Sequence, residues 1–286
     1  MTRRLYAAAA PLALLAACSY YEVPRFDAPQ ALGGVVVPAA TLERGARAYM
    51  RACRPCHGHL GDGKGPQAVG MWPPPRDLRL GVVAYGSVPA GSLWRDEDVV
   101  RIVRAGLAGT GMRAWGDVSD EDLLAVVQFV KTLAPRFRAE VPAEPVASSP
   151  DPWAGREAQA AARGRALYHG LARCQACHPA YATPGEIGAF ARAAGVVAEP
   201  RADAGRPLRV ASDFGRLLEA TDFRAGPLRA VREGHRGEDL YRAIAAGLGG
   251  TAMPTWKGVL PEEDLWALVH YVDALSRGAG PGALAP

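Results

Sequence analysis

Cys53-Arg54-Pro55-Cys56-His57 and Cys174-Gln175-Ala176-Cys177-His178 decide how this chain is read. Each is a C-x-x-C-H string, the attachment signature of c-type haem. Two thiols three residues apart on one helical turn can each add to a vinyl group of a porphyrin. The adjoining histidine then lies under the iron and offers its proximal nitrogen. Two strings imply two covalently bound haems c, through Cys53 and Cys56 in one case and Cys174 and Cys177 in the other. A dithiol redox pair would want a βαβ neighbourhood, and none is visible near either string. A zinc site could pool the four cysteines, although ligand pairs of small zinc modules usually lie far closer in sequence. Neither alternative explains a histidine directly after both pairs.

The N-terminus bears on the compartment. Arg3 and Arg4 precede an apolar run, Leu5 to Leu15, too short to span a bilayer comfortably. Leu15-Ala16-Ala17-Cys18 follows and resembles a bacterial lipobox, in which the cysteine is lipidated and becomes the first mature residue. The alternative is an ordinary cleaved signal with an incidental cysteine. Of the five cysteines, four would go to haem and Cys18 to lipid, leaving none for a disulfide or a nucleophile. Covalent haem attachment in bacteria happens outside the cytoplasm, so the expected location is the periplasmic side of a bacterial membrane, anchored at Cys18. Lipid contributes about 0.8 kcal/mol per buried methylene, and stable anchoring takes more than one chain.

The sequence carries 33 Lys and Arg against 29 Asp and Glu. Loss of Arg3 and Arg4 with the leader leaves about +2, and four propionates would take the holoprotein to about −2. No basic stripe with interleaved aromatics is present, which excludes nucleic acid as a partner.

The chain repeats itself. Arg95 to Trp115 aligns without a gap onto Arg236 to Trp256, with 11 of 21 positions identical, among them Asp98/Asp239, Gly106/Gly247, Thr110/Thr251, Met112/Met253 and Trp115/Trp256. Upstream, Asp77-Leu78-Arg79 echoes Asp222-Phe223-Arg224. The C-x-x-C-H strings are offset by 121 residues rather than 141, so the second copy carries an insertion, placed at about 181–220. Each copy reads as a small helical domain. Thr41 is expected to cap a first helix and Asp96 a second with Gly106 as its stop, and Ser119-Asp120-Glu121-Asp122 is expected to open a third, its acids suiting the N-terminus. In the second copy Pro261 takes a first-turn position. The division expected is a leader over 1–17, a tether over 18–40, a first domain over 41–135, a proline-rich linker over 136–156, a second domain over 157–276 and a tail over 277–286.

Opposite each histidine a second ligand is needed unless the iron is open. Met112 and Met253 stand in matched G-T-x-M loops, Gly109 to Met112 and Gly250 to Met253. A thioether is a soft ligand that suits Fe(II) and raises the potential. The other reading makes them core gap-fillers, but the remaining mature methionines, Met50 and Met71, have no such matched placement. The expected metal ligands are therefore His57, Met112, His178 and Met253. The remaining histidines read as surface or hydrogen-bonding residues, and Arg79 and Arg224 as either propionate partners or solvated charges.

The whole pattern resembles class I c-type cytochromes in tandem, over about 41–135 and 157–276. Gly58-His59-Leu60-Gly61-Asp62-Gly63-Lys64-Gly65 looks like the glycine-rich loop that follows the haem string in that family. It follows no strand, so it is not a phosphate loop. Pro179-Ala180-Tyr181 departs from that pattern in the second copy. The resemblance implies an all-α fold, with two cytochrome c-like domains each wrapped around one haem. It also implies a lipid-anchored one-electron carrier of a respiratory chain, working between redox donor and acceptor proteins, and not an enzyme. The alternatives are a dihaem peroxidase, which needs an iron able to open, a gas sensor, and a permanent cytochrome subunit of an oxidase or reductase.

Overall fold

The computed structural model describes residues 22–197 and 199–278, so Cys18 and the lipid anchor expected there lie outside the described residues. The fold is mostly helical, in two halves built on one plan. In the first half a hairpin, β1 (Gln30–Leu32) and β2 (Val35–Val37), leads into α1 (Ala39–Ala52), then α2 (Arg54–His57), α3 (Asp96–Ala105) and α4 (Asp120–Leu133). The second half has α5 (Glu157–His169), α6 (Pro184–Ala193), a hairpin of β3 (Arg209–Ala211) and β4 (Leu217–Glu219), then α7 (Arg236–Ala246) and α8 (Glu262–Ser276). Among the described residues no helix is long and apolar enough to cross a membrane.

Each half is organised by the crossing of its first and last long helices. Glycine makes the crossing possible. A Cβ on Gly45 would lie 1.9 Å from the Ala125 carbonyl oxygen, and one on Gly164 would lie 2.0 Å from that of Ala267. Backbone touches backbone, as only a residue without a side chain permits. One turn further on, Tyr49 packs on Phe129 with ring centroids 5.2 Å apart, and Tyr168 packs on Tyr271 at 5.3 Å. These four rings are buried and anchor the two cores. Both tyrosine hydroxyls donate forward across the haem string, Tyr49 to the Gly58 carbonyl and Tyr168 to that of Pro179, each at 2.8 Å. The glycine loop of one copy and the Pro179 segment of the other are thus held by one device.

Helix ends follow capping rules with shifts of one or two residues. The helix expected to open at Ser119 to Asp122 is α4, and Ser119 is its N-cap, its hydroxyl accepting from the Asp122 N–H at 3.1 Å. The α1 helix starts earlier than the sequence suggests: Pro38 is its N-cap and Thr41 lies inside it. Arg95 precedes α3, so Asp96 is its first residue rather than its cap, where its carboxylate faces the helix N-terminus. It also pairs with the buried ammonium of Lys131 at 2.6 Å. Pro261 stands just before α8 as its N-cap.

The flanking segments do more than connect. Leu32 and Val37 of the first hairpin are buried in the first core, and so is Phe137 from the segment after α4. Trp153, within the proline-rich stretch, belongs to the second core and donates its indole N–H to the Glu263 carbonyl at 2.9 Å.

The halves meet along a seam that involves main chain. Ala90 N–H donates to the Ala246 carbonyl and to the Thr255 hydroxyl, both at 2.9 Å. The Val146 N–H reaches the Ser87 carbonyl at 2.7 Å. A Cβ on Gly249 would meet the Val83 carbonyl oxygen at 2.5 Å. The repeated acids Asp98 and Asp239 are buried, and each binds an arginine three residues on, Arg101 at 2.9 Å and Arg242 at 2.5 Å. Burial lowers the pKa of Arg101, and the charge of Arg242 across the seam lowers it further.

His169 is fully buried in the second core. Its Nδ1 lies 2.9 Å from the Arg165 carbonyl and its Nε2 accepts the Tyr181 N–H at 3.2 Å, an arrangement only the neutral ring can make. Burial pulls its pKa down to about 4. A histidine whose folded pKa is depressed stabilises the fold above its ordinary value near 6.5, and that contribution is lost as pH falls toward 4. Thermal melting of the holoprotein should therefore fall across that window, and His169→Gln should flatten the fall. Gly45→Ala and Gly164→Ala should each cost about 1–3 kcal/mol or more by forcing the helices apart, read as a lower denaturation midpoint. Gly185→Ala, where a Cβ meets nothing within 4 Å, should be tolerated.

Candidate functional site

The two C-x-x-C-H strings leave their long helices differently, directly after α1 in the first copy and past Gly170, the C-cap of α5, in the second. Cys53 is the C-cap of α1 and its N–H reaches the Tyr49 carbonyl at 2.8 Å. The chain then turns tightly, through α2 in one copy and a single 3-10 turn, Cys174–Ala176, in the other. In both, the histidine N–H donates to the carbonyl of the first cysteine at 2.9 Å. That bond puts both thiols and the imidazole on one side of the turn. All four cysteines are free, and burial pushes the Cys53 and Cys174 thiols up to about 12. Neither of these two is a ready-made thiolate for zinc. Among the described residues no group of three or more histidine, cysteine or acidic side chains could hold a metal, so the pooled zinc site is not formed.

A backbone carbonyl fixes each imidazole. His57 Nδ1 lies 3.2 Å from the Arg76 carbonyl, and His178 Nδ1 lies 2.8 Å from that of Thr221. A carbonyl only accepts, so Nδ1 carries the proton and Nε2 keeps its lone pair. Burial lowers both histidine pKa values, which keeps the rings neutral. Phe223 stacks on the His178 ring with centroids 4.7 Å apart. Arg76 and Thr221 each stand immediately before the D-x-R echo, Asp77-Leu78-Arg79 and Asp222-Phe223-Arg224. In each echo the aspartate accepts the N–H of the arginine two residues on at 3.0 Å. The echo therefore marks the turn that supplies the carbonyl. That role was missed from sequence, although its signal was present.

The methionine loops are superposable in their hydrogen bonds. Thr110 Oγ1 donates to the Leu107 carbonyl at 2.8 Å and accepts the Met112 N–H at 3.0 Å. Thr251 Oγ1 does the same with Leu248 at 2.8 Å and Met253 at 3.2 Å. Each loop closes with the Leu N–H on the methionine carbonyl, at 2.9 and 3.2 Å. Gly106 and Gly247 open the loops at φ 67° and 75°. A Cβ there would strike the returning strand of the loop, 2.8 Å from the Met112 and Met253 carbonyl oxygens respectively.

Cys53, Cys56, His57 and Met112 line one cavity, and so do Cys174, Cys177, His178 and Met253, because the two sites are continuous in a single space of about 980 Å³. An ordinary small-molecule pocket spans roughly 300–1,000 Å³. Eight arginine and lysine side chains line this one, against four carboxylates. Arg76 is the least provided for, since its Nη1 is buried without a hydrogen-bond partner, and burial lowers its pKa to about 10. Arg79 and Arg224 have local partners instead: Arg79 pairs with Asp77 at 2.6 Å, and Arg224 lies over the Tyr181 ring at 4.7 Å.

The family model for cytochrome c oxidase, cbb3-type, subunit III matches this chain twice, over residues 40–130 and 159–272. The chain belongs to that family. This cytochrome is also similar to a chain of a reducing HAO-like protein complex from Kuenenia stuttgartiensis, with 27% identity and a TM-score of 0.67. That match covers 82% of the cytochrome and 96% of the other chain. The cytochrome is thus a c-type electron carrier of helical cytochrome c-like fold, and its class holds haem covalently. The residues fit that group: half-buried thiols on the same side of a turn as an imidazole fixed by a carbonyl, an apolar-walled cavity, and a guanidinium whose Nη1 is buried without a partner.

Proposed function

We propose that this cytochrome carries two haems c, one that Cys53, Cys56, His57 and Met112 would hold, the other that Cys174, Cys177, His178 and Met253 would hold. The observation that supports the count is the duplication of three supporting contacts, the Tyr49/Tyr168 hydroxyls, the carbonyls behind both histidines and the threonine clasps of both methionine loops. The surplus of four cations around the cavity matches the four propionates that two porphyrins would bring. When bound, the haems supply one-electron Fe(II)/Fe(III) exchange.

The protein's part is to hold His57, Met112, His178 and Met253 in place along the cavity. Each carbonyl behind a histidine orients the ring and strengthens it as a donor. The clasped methionine loops hold a soft ligand that favours the reduced state. Both sites open into one cavity, so two haems held there would supply a route for electrons within one molecule between a donor and an acceptor protein. The function proposed is a lipid-anchored relay on the periplasmic side of a bacterial membrane, serving a respiratory chain without catalysing a reaction itself. A second reading makes it a standing subunit of a larger redox assembly. The likeness to a chain from a two-protein HAO-like complex favours this reading, and co-migration of the intact protein with a partner through gel filtration would separate it from a free carrier.

The pyridine haemochrome assay should return two haems per chain, and a value of one would end the two-haem reading. Met112→Ala and Met253→Ala should each remove about half of the long-wavelength methionine–Fe(III) charge-transfer band. A peroxidase would instead show one iron open to added ligand in the native protein. Cys18→Ala should move the protein from the membrane to the soluble periplasmic fraction, and continued membrane association would count against the anchor.

A further inference from the structure

The insertion in the second half has a definite place. Its hairpin is rooted beside the second haem string, where the Leu208 N–H donates to the Cys177 carbonyl at 2.8 Å and the Ala220 N–H to the Leu208 carbonyl at 2.9 Å. Thr221, which holds His178, follows directly. At the tip, the Asp213 N–H donates to the Gly250 carbonyl at 3.2 Å. The Phe214 ring lies so close to Gly250 that a Cβ there would be 2.2 Å from it. Gly250 opens the loop that ends in Met253. The hairpin thus runs from the histidine side of its own site to the methionine side.

Phe214 then reaches across the seam. The guanidinium of Arg76, in the other half, lies over its ring with Cζ 3.9 Å from the centroid. Cation–π contact of this kind is strongest where the cation is shielded from water. Arg76 is the residue whose carbonyl holds His57; its side chain lines the shared cavity, and its Nη1 is buried without a hydrogen-bond partner. A desolvated cation with an unspent donor needs an anion. The anion that the covalent cofactor brings into this cavity is a propionate.

We infer that Arg76 is a positioning residue that takes a haem propionate at the junction of the two halves, and that Phe214 of the second-half insertion holds it there, so that the second half sets the reduction potential of the first. The inference rests on the haem assignment above and goes beyond it by coupling the sites. A fixed positive charge beside an iron favours Fe(II), whose net charge is lower, and it acts most strongly where water is excluded. Removing the charge, or opening it to water, should lower the potential of the first-half haem.

The test is a spectroelectrochemical titration of the intact holoprotein, with haem content and the charge-transfer band measured on the same samples. The wave altered by Met112→Ala marks the first-half haem. Arg76→Gln should lower that midpoint, and Arg76→Lys, which keeps the charge but loses the planar fork, should lower it less. Phe214→Leu, which keeps an apolar side chain there, should also lower the first-half midpoint, though it lies in the other half. In the Arg76→Gln background Phe214→Leu should have no further effect, a non-additivity that a merely structural role would not give. Leu217→Ala, exposed on the same hairpin, should change neither midpoint. An unchanged first-half midpoint in Arg76→Gln, with two haems and the full band present, overturns the inference and leaves the haem assignment standing. Protein lacking haem at Cys53 and Cys56 overturns both.

Discussion

A neutral imidazole has Nε2 free to give to a metal only when its other nitrogen carries the proton, and in this cytochrome a main-chain carbonyl secures that proton in both halves. Arg76 does it for His57 and Thr221 for His178. The bond fixes tautomer and ring orientation together, and burial keeps the ring neutral. Much of each half can be understood as the means of bringing that carbonyl to that ring. The D-x-R turn forms the carbonyl's corner. The tyrosine hydroxyl pins the residue just after the histidine in both copies. The helix crossing fixes where the tyrosine stands. Remove the crossing and the histidine loses its backing, although no residue of the haem string has changed.

The crossing shows how a small helical half can be definite. With Gly45 on Ala125 and Gly164 on Ala267, two helices approach until backbone meets backbone, and aromatic rings one turn away fill the space beside the contact. Such packing admits few alternatives, because one extra methyl group separates the helices. The threonine clasps do the same work on the methionine side by satisfying a loop's polar groups within the loop.

The ligand strings, the methionine loops and the helical class were legible in sequence because each is short and local, and the repeat printed most of them twice. Gly45 and Gly164 were not, for a specific reason. They stand 119 residues apart whereas the haem strings stand 121 apart, since two extra residues separate Tyr168 from Cys174. Anchoring the comparison on the strings slides the glycines and tyrosines out of register. Thr41 and Asp96 were misjudged as caps because a side chain able to cap does not reveal which turn the helix begins on. Phe214 could not have been found at all. Its importance comes from touching Gly250 and Arg76, and nothing local in an insertion says what it will be folded against.

The seam has a consequence for ancestry. Ala90 gives its amide proton to the far half, and Val83 lies against a glycine there that no side chain could replace. A duplicated ancestor could have worked as a single unit, but either present-day half alone would expose main chain that now has a partner only in its sibling. Deleting the second copy would leave the Ala90 amide of the first without the carbonyl and hydroxyl it now reaches.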